Sequence, residues 1–191
     1  MQVINLFNCP IVINKLELNC KEIEKECISL NNKSKKIKNR SGVGGDQVDI
    51  PKINIIFNKL EKEINLKLKE ISINNMELVK ETKLSNMWFC INRYKDFNKP
   101  HTHPFSILSG VYYVKVPKNS GRIVFKNSNS IDNFLHQDYI KNFNTNNSSE
   151  WFMQPEENML YIFPSWVTHY VEPNLSKKER ISIAFNAGFD I

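Results

Sequence analysis

No stretch of the chain approaches the roughly 18 consecutive apolar residues of a membrane-spanning helix, so no helical span is expected. Cysteine is scarce: Cys9, Cys20, Cys27 and Cys90 stand alone, with no C-x-x-C pair. Neither a zinc ribbon nor a disulfide framework is expected, and the thiols read as reduced and buried. The N-terminal segment lacks a basic stretch followed by an apolar run and a cleavage site, so no signal peptide is expected and the expected compartment is the cytoplasm. Arginine is also rare, four residues against 22 lysines. The net charge of +6 invites an anionic partner. However, the excess of Lys, Asn and Ile is what an AT-rich genome imposes, and no basic stripe carries interleaved aromatics. A nucleic-acid or membrane partner is therefore not expected.

What the sequence does contain is the balance of a soluble globular protein, 41% hydrophobic and 24% charged in 191 residues. That length suits one domain over 1–191. Residues 1–80 read as a helical layer. Short extended segments are expected at Val3 to Phe7 and Ile11 to Leu16, around Pro10. Asn19 then caps a helix through about Leu30, with Ile23, Cys27 and Leu30 on one face. Residues 31–50 read as a loop. Pro51 is expected to open a second helix, its apolar stripe formed by Ile53, Ile56, Phe57, Leu60, Ile64, Leu68 and Ile71.

From about Leu84 the period changes to two, and residues 84–191 read as a β core. Strands are expected at Asn86 to Tyr94, Phe105 to Val116, Arg122 to Lys126, Trp151 to Met153, Met159 to Phe163, His169 to Glu172 and Arg180 to Phe189. Many short strands mean a sandwich or barrel, giving a mainly β fold with N-terminal helices. Residues 127–150 are polar, Asn-rich and largely unpatterned, and read as a long insertion, either lid or surface loop.

Histidine is limited to four residues. His101 and His103 are spaced i, i+2, so both imidazoles share a face on extended backbone, and Pro100 and Pro104 restrain them. His169 opens a late strand. Two ligands from one segment and one from another can hold three positions around a metal and leave the rest open. A hydrogen-bonded loop feature is the bland alternative. Arg180 opens the last strand, where Ile181, Ile183 and Phe185 share one face and Arg180, Ser182, Ala184 and Asn186 the other. Its planar fork suits a carboxylate; a surface pairing with Glu179 is the alternative. Tyr112 or Tyr113, and Asn92, are candidates for a further polar contact, whereas Trp88 and Trp166 read as core or rim.

The segments Asn92 to Phe125, with P-H-T-H-P and S-G-V-Y-Y-V-K-V-P, and Leu160 to Asn186, with F-P-S-W-V-T-H and R-I-S-I-A-F-N, carry a resemblance, as does S-G-V-G-G-D-Q upstream. Together they resemble the small 2-oxoglutarate/Fe(II)-dependent oxygenases found in marine bacteria and their phages. The resemblance implies a double-stranded β-helix (jelly roll, cupin-like) with Fe(II) held by His101, His103 and His169. It also implies 2-oxoglutarate as a small-molecule cosubstrate, its distal carboxylate on Arg180 and Ser182. No catalytic side chain beyond the metal ligands is implied, and the substrate is not named. One departure stands out: the wider superfamily usually has Asp or Glu two residues after the first histidine, where this chain has His103. A three-histidine cupin-like metalloenzyme without 2-oxoglutarate and a non-catalytic jelly-roll module are the competing readings. A literal H-x-D at His136 to Asp138 lies in the insertion, too close in sequence to His169 for the intervening strands.

Overall fold

The computed structural model describes residues 1–2, 9–37, 41–52, 54–129, 131 and 135–189. The strand expected at Val3 to Phe7 and the helical position Ile53 lie outside these residues. In chain order the elements are β1 (Val12–Lys15), α1 (Cys20–Lys33), β2 (Gly42–Val43), β3 (Asp46–Asp49) and α2 (Ile55–Glu70), which runs into a π-helical turn at Ile71–Asn75. There follow β4 (Lys83–Asn92), β5 (Phe97–His101), β6 (Leu108–Lys115), β7 (Ile123–Lys126), β8 (Glu150–Met153), β9 (Met159–Pro164), β10 (His169–Val171) and β11 (Arg180–Gly188). One antiparallel sheet has six strands in the order β1-β9-β6-β11-β4-β3; the other has five, β2-β5-β10-β7-β8.

The two helices cover the outer face of the larger sheet. Asn19 caps α1 by accepting a hydrogen bond from the Glu22 amide, and Ile23 and Cys27 point inward. α2 starts at Ile55, capped by Asn54, and not at Pro51. The Asn54 carboxamide oxygen accepts from the Ile56 amide at 3.0 Å, which satisfies a free helix-end donor that proline cannot satisfy. Phe57, Leu60, Ile64 and Leu68 of α2 then meet Met87, Phe89, Ile91, Ile181, Ile183 and Phe185 of the sheet in one cluster. Each such side chain contributes about 1.5–3 kcal/mol on burial. The inner face carries a smaller cluster, including Val111, Tyr113, Tyr161 and Phe163.

The observed strands differ from expectation in three further places. The stretch expected as a 31–50 loop contains β2 and β3, which escaped notice because D-Q-V-D has a single apolar residue. β5, F-N-K-P-H, is likewise too polar to show alternation. The strand expected from Phe105 begins only at Leu108, because Phe105 has φ +66° and turns the chain. Between Lys126 and Glu150 no strand forms among the described residues, and a 3₁₀ turn is present at Gln137–Tyr139.

Asp46 of β3 binds the front of the fold together. It accepts from Arg93 at 2.6 Å and from Asn31 at 3.0 Å, and pairs with Lys36 at 2.8 Å. Burial opposes its ionisation, but hydrogen bonds from Lys36, Arg93 and Asn31 outweigh burial and pull the carboxyl down to about 2. A depressed folded-state value stabilises the protein above the ordinary carboxylate range and loses that contribution as pH falls towards 2. Lys36 and Arg93 are half exposed, so screening trims the effect to about 1–2 kcal/mol. Asp46→Asn should lower stability by that amount in urea melts at pH 7, and the gap to wild type should shrink steadily towards pH 2; a gap constant with pH would refute the ionic origin.

Candidate active site

The smaller sheet brings the distant histidines together. His169, first residue of β10, is the register partner of His101, last residue of β5. Their ring centroids lie 4.4 Å apart. His103 follows the end of β5, and its amide donates to the Ser165 carbonyl at 2.9 Å, folding the chain back so that its ring stacks on His169 at 5.1 Å and 12°. Ring nitrogens of all three lie within 4.8 Å of one another. Among the described residues no Asp or Glu joins this group, so the position that usually carries a carboxylate supplies an imidazole.

Backbone carbonyls set the tautomers. His101 Nδ1 lies 2.7 Å from the Lys99 carbonyl, and His169 Nδ1 lies 3.0 Å from that of Val167. A carbonyl only accepts, so each Nδ1 carries the proton and each Nε2 presents a lone pair. His103 Nε2 and His169 Nε2 stand 3.3 Å apart. Burial lowers all three pKa values: His103 to about 4, helped by the His101 charge, and His169 to about 3, helped by His101 and His103. The imidazoles are therefore neutral at physiological pH, the form that binds a metal. Three borderline nitrogen donors in a cluster fit one divalent transition-metal ion such as Fe(II).

The cluster opens into a cavity of about 780 Å³ between the sheets. Arg180 also lines it and is only 1% exposed. Its Nη1 donates to the carbonyls of Ser120 and Glu172. No carboxylate pairs with it among the described residues: Glu172 is taken by Arg122, and Asp96 accepts from the Arg93 amide. Burial draws the Arg180 pKa down, but a guanidinium stays charged in proteins. A buried cation without an acid is costly unless an anion arrives. Ser182, Tyr113, Cys90 and Asn92 line the cavity beside it.

Of the two tyrosines weighed from sequence, Tyr113 faces the cavity; Tyr112 points to the helical side, donating to Asn158 at 2.6 Å. Arg180 does not pair with Glu179, which lies instead 3.6 Å from Arg93. His136 is exposed in the insertion, pairs with Asp138 at 3.4 Å and stands apart from the three-histidine group. Trp88, read as core or rim, is partly exposed and lines the cavity, its ring 6.1 Å from that of His103. Gln47, Asp49 and Asn86, to which the sequence assigned no role, also line it, as does Asn186, which the strand alternation had placed on the Arg180 face. The available signal was the alternation of polar with apolar residues from Asn86 to Asn92.

The family described as "Putative 2OG-Fe(II) oxygenase" matches residues 86–186, more than half of the chain. No curated protein matches the chain by sequence. Among solved structures, the chain is similar to a Pseudomonas putida prolyl-4-hydroxylase, with TM-score 0.68 and 15% identity over 94% of this chain and 93% of that one. It is also similar to a viral collagen prolyl hydroxylase from Paramecium bursaria Chlorella virus-1 in complex with 2-oxoglutarate (TM-score 0.60, 12% identity, covering 92% and 94%). A third is HygX from Streptomyces hygroscopicus with nickel and 2-oxoglutarate bound (TM-score 0.63, 10% identity, covering 93% and 82%). These likenesses establish the double-stranded β-helix that the sequence led one to expect. The family match spans β4 to β11 and takes in the three histidines and Arg180: the chain belongs to the 2OG-Fe(II) oxygenase family, enzymes that depend on iron(II) and 2-oxoglutarate.

Proposed function

We propose that His101, His103 and His169 hold the iron(II), and that Arg180 with Ser182 receives the distal carboxylate of 2-oxoglutarate in a reaction that hydroxylates a primary substrate. The observation that carries this reading is the acid-free guanidinium, buried in the same cavity as three neutral imidazoles. Iron bound there supplies the dioxygen chemistry that couples decarboxylation of 2-oxoglutarate, to succinate and carbon dioxide, with hydroxylation of a C–H bond. The chain's own residues bind, orient and exclude water; none beyond the metal ligands acts as a catalyst. The carbonyls of Lys99 and Val167 orient two of the ligands, and Phe125 and Phe163 pack beside His169 to keep that wall dry.

Replacing the usual carboxylate with His103 removes one negative charge next to the metal. The expected consequences are weaker iron binding and stronger attraction of the anionic cosubstrate. We take the chain to act as one unit over 1–191: within residues 1–80, expected as a helical layer, α1 and α2 back the larger sheet while β1, β2 and β3 extend the two sheets, and 127–150 is a surface insertion. Among the described residues no helix is long and apolar enough to cross a membrane. All four cysteines are free thiols, which suits the reducing cytoplasm. The cavity holds an unpaired carboxylate, Asp49, where a phosphate-rich substrate would be repelled, which argues against nucleic acid.

Anaerobic addition of Fe(II) and then 2-oxoglutarate should produce a visible charge-transfer band, lost in His169→Ala. Iron binding without a band would favour a three-histidine enzyme that does not use 2-oxoglutarate, and no metal binding would favour a non-catalytic module. Arg180→Lys keeps the charge but loses the fork, and should weaken 2-oxoglutarate roughly ten- to a hundredfold in the same titration.

Gly121 tests the support of Arg180. At φ +87° it sits beside Ser120, and an added Cβ would lie 2.4 Å from the Glu172 carbonyl oxygen. Both carbonyls that hold Arg180 would shift. Gly121→Ala should therefore raise the 2-oxoglutarate concentration needed for half-maximal band intensity by roughly tenfold, a loss of about 1.4 kcal/mol. An unchanged titration would mean that these carbonyls do not position the guanidinium.

A further inference from the structure

The floor of the cavity is a ladder whose rungs follow from the strand register. Asn92 pairs with Arg180, Cys90 with Ser182, Trp88 with Ala184 and Asn86 with Asn186. β3 extends two rungs on one side, Gln47 opposite Cys90 and Asp49 opposite Trp88. β6 extends them on the other, Tyr113 opposite Ser182 and Val111 opposite Ala184. Chemistry changes along this ladder. At one end stands Arg180, suited to an anion. Four residues along β4, about 13 Å at the rise of a strand, stand Asp49, Trp88 and the small Ala184.

Asp49 is the sole carboxylate among the described residues lining the cavity, and none of the described cations pairs with it. Its neighbours in charge are committed elsewhere: Asp46 to Lys36 and Arg93, Glu172 to Arg122. Lys99 also lines the cavity, from β5 in the opposite sheet; it and Asp49 are both exposed to solvent, and no ion pair joins them. Trp88 is partly exposed in the cavity wall, so its aromatic ring is open to a ligand. The indole also adjoins the histidine cluster, 6.1 Å from the His103 ring.

Resting on the oxygenase reading above, we propose that this rung is the primary-substrate subsite and that the substrate enters it as an organic cation. An alkylammonium or guanidinium group pairs with the Asp49 carboxylate and lies on the Trp88 indole. A carboxylate and an aromatic face together select a cation over a neutral group of the same shape. Ala184 leaves room above the rung. Asn86 and Asn186 on the next rung offer carboxamides to the rest of the substrate; Asn186 Oδ1 already accepts from Ser109, which leaves its NH₂ to donate. The positive Arg180 end repels the substrate's charge, so the cation is turned away from the cosubstrate and a neutral part of the molecule faces the histidines.

The probes are N-acetyl-L-lysine N-methylamide and N-acetyl-L-arginine N-methylamide, each beside its uncharged counterpart, the norleucine and citrulline derivatives. They are titrated onto full-length protein loaded with Mn(II) and 2-oxoglutarate, and binding is read as paramagnetic broadening of the probe's side-chain protons. At least one cationic probe should bind roughly tenfold tighter than its counterpart, with Asp49→Asn abolishing the preference and Asp49→Glu keeping it. Trp88→Leu should weaken that cationic probe roughly threefold or more. Equal binding of charged and neutral probes, a preference that survives Asp49→Asn, or no binding of either cation at millimolar concentration would overturn the proposal. The anaerobic Fe(II) and 2-oxoglutarate spectrum of the wild-type protein separates the two levels: a normal band with no cation preference sinks the subsite alone, and an absent band sinks the oxygenase reading beneath it.

Discussion

Side chains on a β-strand point alternately to opposite faces, and β4 and β11 divide their residues strictly by that rule. Met87, Phe89 and Ile91, with Ile181, Ile183 and Phe185, face the helices and form the core. The residues between them, Trp88 and Cys90 on one strand and Arg180, Ser182, Ala184 and Asn186 on the other, face the cavity. A slip of one residue in this pairing would carry a guanidinium into the apolar cluster and expose three large hydrophobic side chains. Hydrophobic burial against α1 and α2 therefore fixes the register, and the register fixes the cavity wall. The helices touch no cosubstrate, yet the orientation of Arg180 depends on what they cover.

The two sheets contribute different chemistry. The larger, with long strands and a helical backing, presents Arg180, Trp88 and the carboxamides on a rigid floor. The smaller is built of short strands, β10 having three residues, and its contribution is the imidazole cluster. Short strands suffice because the three-histidine cluster is local: one cross-strand pair, His101 with His169, and one turn held by the bond from the His103 amide to Ser165. Desolvation acts on both walls, with opposite results. On the histidines it removes the proton and leaves ligands ready for a cation. On Arg180 it cannot remove the charge and leaves a site ready for an anion.

The distribution of apolar residues explains what was legible in the sequence. Helices α1 and α2, and strands β4, β6, β9 and β11, each bury a face in a hydrophobic cluster, so their periods of 3.6 or 2 stood out. β2, β3 and β5 lie at or near the cavity mouth, pair at sheet edges or against short neighbours, and bury almost nothing apolar; no periodic signal existed to find. Histidine spacing and the rarity of arginine singled out His101, His103, His169 and Arg180. The same reasoning missed Gln47 and Asp49, because polar residues in a weak strand read as loop. It undervalued Trp88, because an aromatic residue in a strand is more often packing than wall. The choice between Tyr112 and Tyr113 was not open to sequence either, since adjacent residues differ only in face and the face is set by register.

The cavity's charges bear on how a substrate is held relative to its cosubstrate. A hydroxylating site must keep two organic molecules apart yet direct both to one metal, and shape alone discriminates weakly between small polar molecules. Here the opposed charges of Arg180 and Asp49 lie on the same floor, four residues apart along the ladder. On the proposed reading, a dicarboxylate is attracted at one end and repelled at the other, and a cation experiences the reverse, so each ligand is excluded from the other's place as well as drawn to its own. That dual selection needs no lid and no moving part. It needs only that β3 pair with β4 in the observed register, which Asp46 secures through Arg93 immediately beyond β4 and through Lys36 and Asn31. The polar strand that sequence patterning could not see is thus the one that makes the cavity asymmetric.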